Sequence, residues 1–270
     1  MTLYRLKNIR AGYGRRTVLF DIDLDIDRNE FIGIIGPNGA GKSTLMKVLT
    51  GNLPPLEGEV LFEGKALGKY GNRELSRRMA VVHQSLENLL SIPVDDFVML
   101  GRFPFQSFWR RETAEDLEVA GRSIEETDIG RLRERAVTEL SGGEKQLVFI
   151  ARALTQNREL ILLDEPTAHL DIQHTMKIMD VLHNLHSGGT TVITILHDIN
   201  TAANFCTRII ALKNGEIYAD GTPEEVIHYE NMERLFNTMC IVLDNPQTGK
   251  PYTIPVPEYV RKKFNSGGAP

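Results

Sequence analysis

The 270-residue sequence holds only two cysteines, Cys206 and Cys240, far apart and neither in a Cys-x-x-Cys pair. That excludes a disulfide framework and a thiolate metal site, and it fits a reducing cytosol. Long apolar runs are missing as well. Phe31–Pro37, Leu160–Leu163 and Thr191–Leu196 fall far short of the roughly 18 to 20 residues that span a bilayer. Met1–Arg10 lacks the apolar stretch and cleavage site of a secretory leader, so the chain is expected to stay where it is made. Basic residues are not in excess: 31 Lys and Arg against 36 Asp and Glu leave a net charge of -5, which offers no footprint for nucleic acid. There is no repeat, low-complexity tract or long linker, and the Gly/Ser/Pro-rich tail Asn265–Pro270 is expected to fray.

What is present is an alternation. Short apolar, β-rich runs at Phe31–Ile35, Met79–Val82, Leu160–Leu163, Thr191–Leu196 and Arg208–Leu212 are separated by helical patterns at Lys42–Thr50, Gly143–Leu154, Gln173–His186 and Asp198–Phe205. Buried strands alternating with helices predict an α/β fold with a mainly parallel sheet covered on both faces. Two regions depart from this rhythm. Residues 1–30 read as short strands of period two, clearest where Ile22, Leu24 and Ile26 alternate with Asp21, Asp23, Asp25 and Asp27, which predicts an antiparallel β edge. Residues from about 86 to 140 read as an inserted helical sub-domain, with Val94–Leu100 and Thr113–Arg122 its clearest helices.

Residues 36–43 carry the chemistry. Gly36-Pro37-Asn38-Gly39-Ala40-Gly41-Lys42-Ser43 follows an apolar strand and opens a helix at Thr44, so G-x-x-x-x-G-K-[ST] stands in the strand–loop–helix setting that its mechanics require. Glycine lets the backbone turn tightly and present successive N–H groups, with the positive helix end, to phosphate oxygens. Lys42 is expected to reach the β- and γ-phosphates and the Ser43 hydroxyl to ligate Mg²⁺. The fold is therefore expected to be a P-loop NTPase core with a nucleotide and Mg²⁺ bound.

A second buried strand, Leu160–Leu163, runs into Asp164 and Glu165, which places two carboxylates at the carboxyl edge of the sheet, where α/β proteins bind ligands. Asp164 suits Mg²⁺ and Glu165 suits activation of the attacking water; acidic residues after strands also serve as plain turn formers and caps. Residues 140–144 read Leu-Ser-Gly-Gly-Glu. Ser141 and Glu144 have capping-box spacing, which explains two of them. Two adjacent glycines in a first turn cost about 1 kcal/mol each and suggest a close approach, for which a second phosphate contact is the natural candidate.

With these pieces in order, the sequence resembles the nucleotide-binding domains of ABC transporters over nearly its whole length. The resemblance takes in Tyr13 before the first loop, the phosphate loop Gly36–Ser43, Gln84 after the next strand, the signature Leu140–Glu144, Asp164 and Glu165, the turn Ala168–Asp171, and His197. It implies one domain: 1–85 and 141–230 as core with an N-terminal β part, about 86–140 as helical sub-domain, and 231–270 as a short C-terminal extension. It implies that Tyr13 stacks on adenine, that Gln84 joins Ser43 and Asp164 at Mg²⁺ and contacts the attacking water, and that His197 supports Glu165 at the γ-phosphate. Ser141, Gly142, Gly143, Glu144 and Asp171 would complete a nucleotide site shared head to tail with a second ATPase subunit. Glu144 and Lys145 depart mildly from the family, where Gln or Arg is common. The remaining histidines, including His169, His174, His183 and His186, are scattered and read as solvated rather than metal-binding.

Finer patterns resemble importer ATPases for ferric siderophores, haem and cobalamin: Gly101–Phe105, Leu170–His174, Leu196–Asn200, Asp220–Val226 and Gln247–Pro251. They imply a peripheral subunit at the cytoplasmic face of the membrane, paired with permease subunits and served indirectly by an extracytoplasmic solute-binding protein. The aromatics Phe103, Phe105, Phe108 and Trp109 are either part of a permease-docking groove or the small core of the helical insertion. A soluble ABC ATPase of translation or DNA repair is the rival, and the single motif set and absence of sustained heptads weigh against it.

Overall fold

The structure is a computed structural model that describes residues 1–83, 91–106 and 112–260. Gln84, Phe108, Trp109 and the tail Asn265–Pro270 lie outside the described residues. In chain order the strands are β1 (Thr2–Tyr13), β2 (Arg16–Asp27), β3 (Phe31–Ile35), β4 (Glu57–Phe62), β5 (Lys65–Ala66) and β6 (Ala80–Val82), followed by β7 (Leu160–Asp164), β8 (Thr191–Ile195), β9 (Arg208–Lys213), β10 (Glu216–Gly221), β11 (Cys240–Asp244) and β12 (Pro251–Pro255). The helices are α1 (Lys42–Leu49), α2 (Asn72–Arg78), α3 (Val94–Met99), α4 (Ala114–Glu126), α5 (Gly142–Gln156), α6 (Ile172–Ser187), α7 (Ile199–Phe205), α8 (Pro223–Val226) and α9 (Tyr229–Phe236).

The α/β expectation holds. The central sheet runs β10-β9-β3-β8-β7-β6, parallel throughout except for β10 at one edge. Its inner strands are buried on both faces, which is why they are apolar without alternation. Ile32, Ile34, Leu160, Leu162, Ile193 and Ile195 pack toward α1 and the N-terminal strands, whereas Phe31, Ile35, Ile161, Leu163 and Val192 pack toward α5, α6 and α7. Gly33 faces Cys206 so closely that an added Cβ would sit 2.8 Å from the Cys206 Sγ. That thiol is wholly buried, and desolvation raises its pKa well above the ordinary range, so it is a packing group.

The N-terminal strands form a second, antiparallel sheet, β2-β1-β4-β5. Ile22, Leu24 and Ile26 are buried while the intervening aspartates face water. The expected short strands are instead two twelve-residue strands. Their periodicity is broken by register shifts and by Asn8 and Asp21, whose left-handed backbones (φ 49° and 47°) reset the alternation within one continuous ribbon.

Between residues 91 and 140 the described residues hold α3, α4 and short 3₁₀ turns, with only an isolated bridge, Pro93–Ala136. The Gly101–Phe105 pattern anchors this part to α5. A Cβ on Gly101 would run into the Arg152 carbonyl. Arg102 forms a buried ion pair with Asp116 at 2.7 Å. Burial pushes the Asp116 carboxyl up, but Arg102 and the Thr113 N–H and hydroxyl outweigh it and hold the carboxyl below its usual range. Phe105 lies under the Arg102 and Arg77 guanidinium groups, and Phe103 is 74% exposed.

Candidate functional site

The loop after β3 is shaped by three glycines that perform different tasks. Gly36 (φ 147°) passes so close to the Leu212 carbonyl that no Cβ fits, and Gly41 (φ 103°) would place one 2.7 Å from Leu19 Cδ2. Gly39 (φ 80°) has open space around it, so its left-handed backbone and not crowding calls for glycine there. The Ala40 carbonyl accepts from the Gly215 N–H at 3.1 Å, tying the loop to the β9–β10 turn. Pro37 is half-buried, Asn38 and Ser43 are exposed, and Thr44 is buried under the loop. Lys42 lies along the loop, and its Nζ donates to the Gly36 carbonyl at 2.8 Å and the Pro37 carbonyl at 3.2 Å. Burial lowers its pKa, opposed by the nearby Glu165 and Asp164 carboxylates.

Those carboxylates stand at the end of β7. Glu165 adopts a left-handed backbone (φ 53°), a strained conformation of the kind that collects at functional sites. It faces His197, which follows β8: His197 Nε2 lies 2.6 Å from Glu165 Oε1, with the imidazole half-exposed and the carboxylate largely covered. Asp164 Oδ1 is buried without a hydrogen-bond partner. Burial and the adjacent Glu165 raise its pKa, while His83, Lys47 and Lys42 pull the other way. A buried carboxylate oxygen with no partner, within electrostatic reach of Lys42 and Lys47, suits a hard divalent cation.

Tyr13 ends β1 half-exposed, with the Lys47 ammonium 5.2 Å from its ring. Tyr13, Lys47, Asn52, His83 and Asp164 line one cavity. Lys47 and His83 are site residues that sequence reasoning did not single out. Their only signal is that Lys47 lies four residues after Ser43, one helical turn along the same face of α1.

The signature and Asp171 form a second group. Ser141 caps α5: its hydroxyl accepts from the Glu144 N–H at 3.3 Å, and the Glu144 carboxylate accepts from the Ser141 N–H at 3.1 Å and Oγ at 3.0 Å. Glu144, also within reach of Arg131 and Arg135, is held below its usual carboxylate range chiefly by the Ser141 N–H. The glycine pair divides. Gly142 is exposed, but an added Cβ on Gly143 would overlap the His174 ring of α6. The close approach at Gly143 is thus made by the chain itself. Asp171 caps α6, accepting from the His174 N–H and lying 2.8 Å from His174 Nδ1. His174 is therefore packed, and His186 is half-buried against Phe31, which corrects the expectation that both are solvated. Among the described residues no group of three or more His, Cys, Asp or Glu side chains could hold a metal ion.

Gly143→Ala is expected to destabilise the fold by about 1–3 kcal/mol through overpacking, despite the gain of about 1 kcal/mol that alanine usually brings to a helix. A thermal midpoint several degrees lower, partly restored when His174 is also shortened to alanine, checks this.

Residues 19–168 match the model of the family described as ABC transporter. The chain belongs to that family. It is an ATP-binding ABC cassette, an ATPase by family. It is 35% identical to the ferric enterobactin transport ATP-binding protein FepC of Escherichia coli (strain K12), covering 97% of each chain. It is 37% identical to the hemin import ATP-binding protein HmuV of Pseudomonas fluorescens (strain Pf0-1), covering 93% of this cassette and 99% of that protein. Its structure superposes with a TM-score of 0.70 on a dimeric post-hydrolysis state of an ATP-binding cassette bound to ADP and Pi, 31% identical, covering 82% of this chain and 98% of the other. Among the described residues of this cassette, no helix is long and apolar enough to cross a membrane.

Proposed function

We propose that this cassette hydrolyses ATP to drive an importer of iron chelates, working as one of a pair of ATPase subunits docked on permease subunits at the cytoplasmic membrane face, with an extracytoplasmic solute-binding protein delivering the cargo. The observation that carries hydrolysis over mere binding is the Glu165–His197 contact at 2.6 Å beside the unpartnered Asp164 oxygen. The iron-chelate cargo rests on the relatives named above, matched over nearly their full length. The hemin relative favours haem as the second reading of the cargo.

In this mechanism Tyr13 stacks on adenine and the backbone of Gly36–Ser43, with Thr44 behind it, cradles the phosphates. Lys42 exchanges loop carbonyls for β- and γ-phosphate oxygens. Ser43, Asp164 and Gln84 would hold Mg²⁺, which neutralises developing phosphate charge when bound. Glu165 orients the attacking water and takes its proton as the water oxygen bonds to the γ-phosphorus and the bond to ADP breaks; His197 fixes Glu165 and contacts the γ-phosphate. Ser141–Glu144 and Asp171 of one copy close over the nucleotide of the other. Glu144, committed to its capping box, contributes there through the helix end it stabilises. The exposed Phe103 is part of the permease-facing surface.

A strain lacking this chain should lose growth on a defined ferric siderophore as sole iron source and regain it with the wild-type gene but not with Glu165→Gln. Loss confined to hemin moves the cargo to haem. Undiminished growth on both overturns the import reading.

A further inference from the structure

Three stretches that resemble importer ATPases meet in space: Leu196–Asn200, which carries the site residue His197, and Asp220–Val226 and Gln247–Pro251, to which no role at the nucleotide is assigned. Asn200, in the first turn of α7, grips β12 as a neighbouring strand would. Its Oδ1 accepts from the Thr253 N–H at 2.7 Å and Thr253 Oγ1 at 2.9 Å, and its Nδ2 donates to the Thr253 carbonyl at 3.1 Å. One turn later, Asn204 Oδ1 accepts from the Thr248 hydroxyl at 3.0 Å. Lys250 pairs with Glu224 of α8 at 2.8 Å. The β11–β12 hairpin is thereby fastened along α7, with Thr253 buried in the contact.

The same helix carries the site histidine at its root. Asp198 caps α7, accepting from the Asn200 and Thr201 N–H groups, and the residue before it is His197, against Glu165. A helix of seven residues is too short to be stable alone, so tertiary contacts set its position. Cys206 on Gly33 fixes its far end, and the hairpin fixes its outer side. We propose that the C-terminal hairpin is a positioning element of the hydrolytic site, with Asn200, through Thr253, setting α7 so that the His197 imidazole stays against Glu165. This rests on the ATPase reading above.

The test is a double-mutant cycle on the full chain assembled with its permease, with kcat and KM for ATP measured for Asn200→Ala, His197→Ala and the pair. A misplacement of about 1 Å at a reacting group costs up to roughly 10²-fold, so Asn200→Ala should lower kcat by about tenfold or more with KM changed less than about twofold. In the His197→Ala background the same change should cost less than about twofold, because the group it positions is gone. Asn200→Asp keeps both acceptor bonds and loses only the donor; it should fall between wild type and alanine, and it carries the cycle should the alanine variant not fold. A wild-type kcat in Asn200→Ala, an equal loss in both backgrounds, or a loss carried wholly by KM overturns the proposal. Failure of the ATPase reading is distinguishable, because wild type and Glu165→Gln would then turn over ATP alike.

Discussion

Replacing Glu165 by glutamine should leave ATP affinity within about twofold of wild type and lower turnover by roughly 10²- to 10⁴-fold, the range associated with removing a general base. The side chain keeps its size and one oxygen, so the strained turn at the end of β7 and the neighbouring cradle are preserved. What is lost is the group that accepts the water proton and faces His197 at 2.6 Å. Equilibrium nucleotide titration together with steady-state phosphate release separates the two effects. Wild-type turnover in this variant would remove Glu165 as the base.

Lys42→Ala should show the opposite pattern, weakening ATP and ADP alike. The ammonium is buried among loop carbonyls, is held against desolvation by Glu165 and Asp164, and has three donors to redirect to phosphate. A hydrogen bond to a charged group contributes about 1.5–3 kcal/mol, so affinity should fall roughly 10- to 150-fold. Calorimetric titration with ATP and ADP checks this, and unchanged affinity would separate Lys42 from the phosphates.

Most residues proposed for the nucleotide could be picked out of the sequence because local context marks them. A buried strand, a glycine turn and a helix start occupy consecutive positions from Phe31 to Ser43, and Asp164 and Glu165 stand at the end of one apolar strand and His197 just past another, whose apolar character declares them. Contacts between distant segments leave no such mark. Gly143 reads as a ligand contact until His174, on another helix, is found against it. The capping box of Ser141 and Glu144 was visible in its spacing and is present, yet spacing could not show that Arg131 and Arg135 also reach Glu144. Continuous β1 and β2 were hidden by left-handed residues that interrupt the period of two. The C-terminal hairpin was invisible because its register with α7 is made by side chains 53 residues apart.

If two copies close around ATP, each signature facing the other copy's phosphate loop, nucleotide should control the mass of the particle in solution. Static light scattering of Glu165→Gln with Mg²⁺ and ATP, then with ADP, tests it most directly. Mass should double with ATP, return to the monomer value with ADP, and stay there in Ser141→Arg, which places a bulky cation on the exposed signature surface. A variant that binds ATP stoichiometrically yet stays at monomer mass would contradict it.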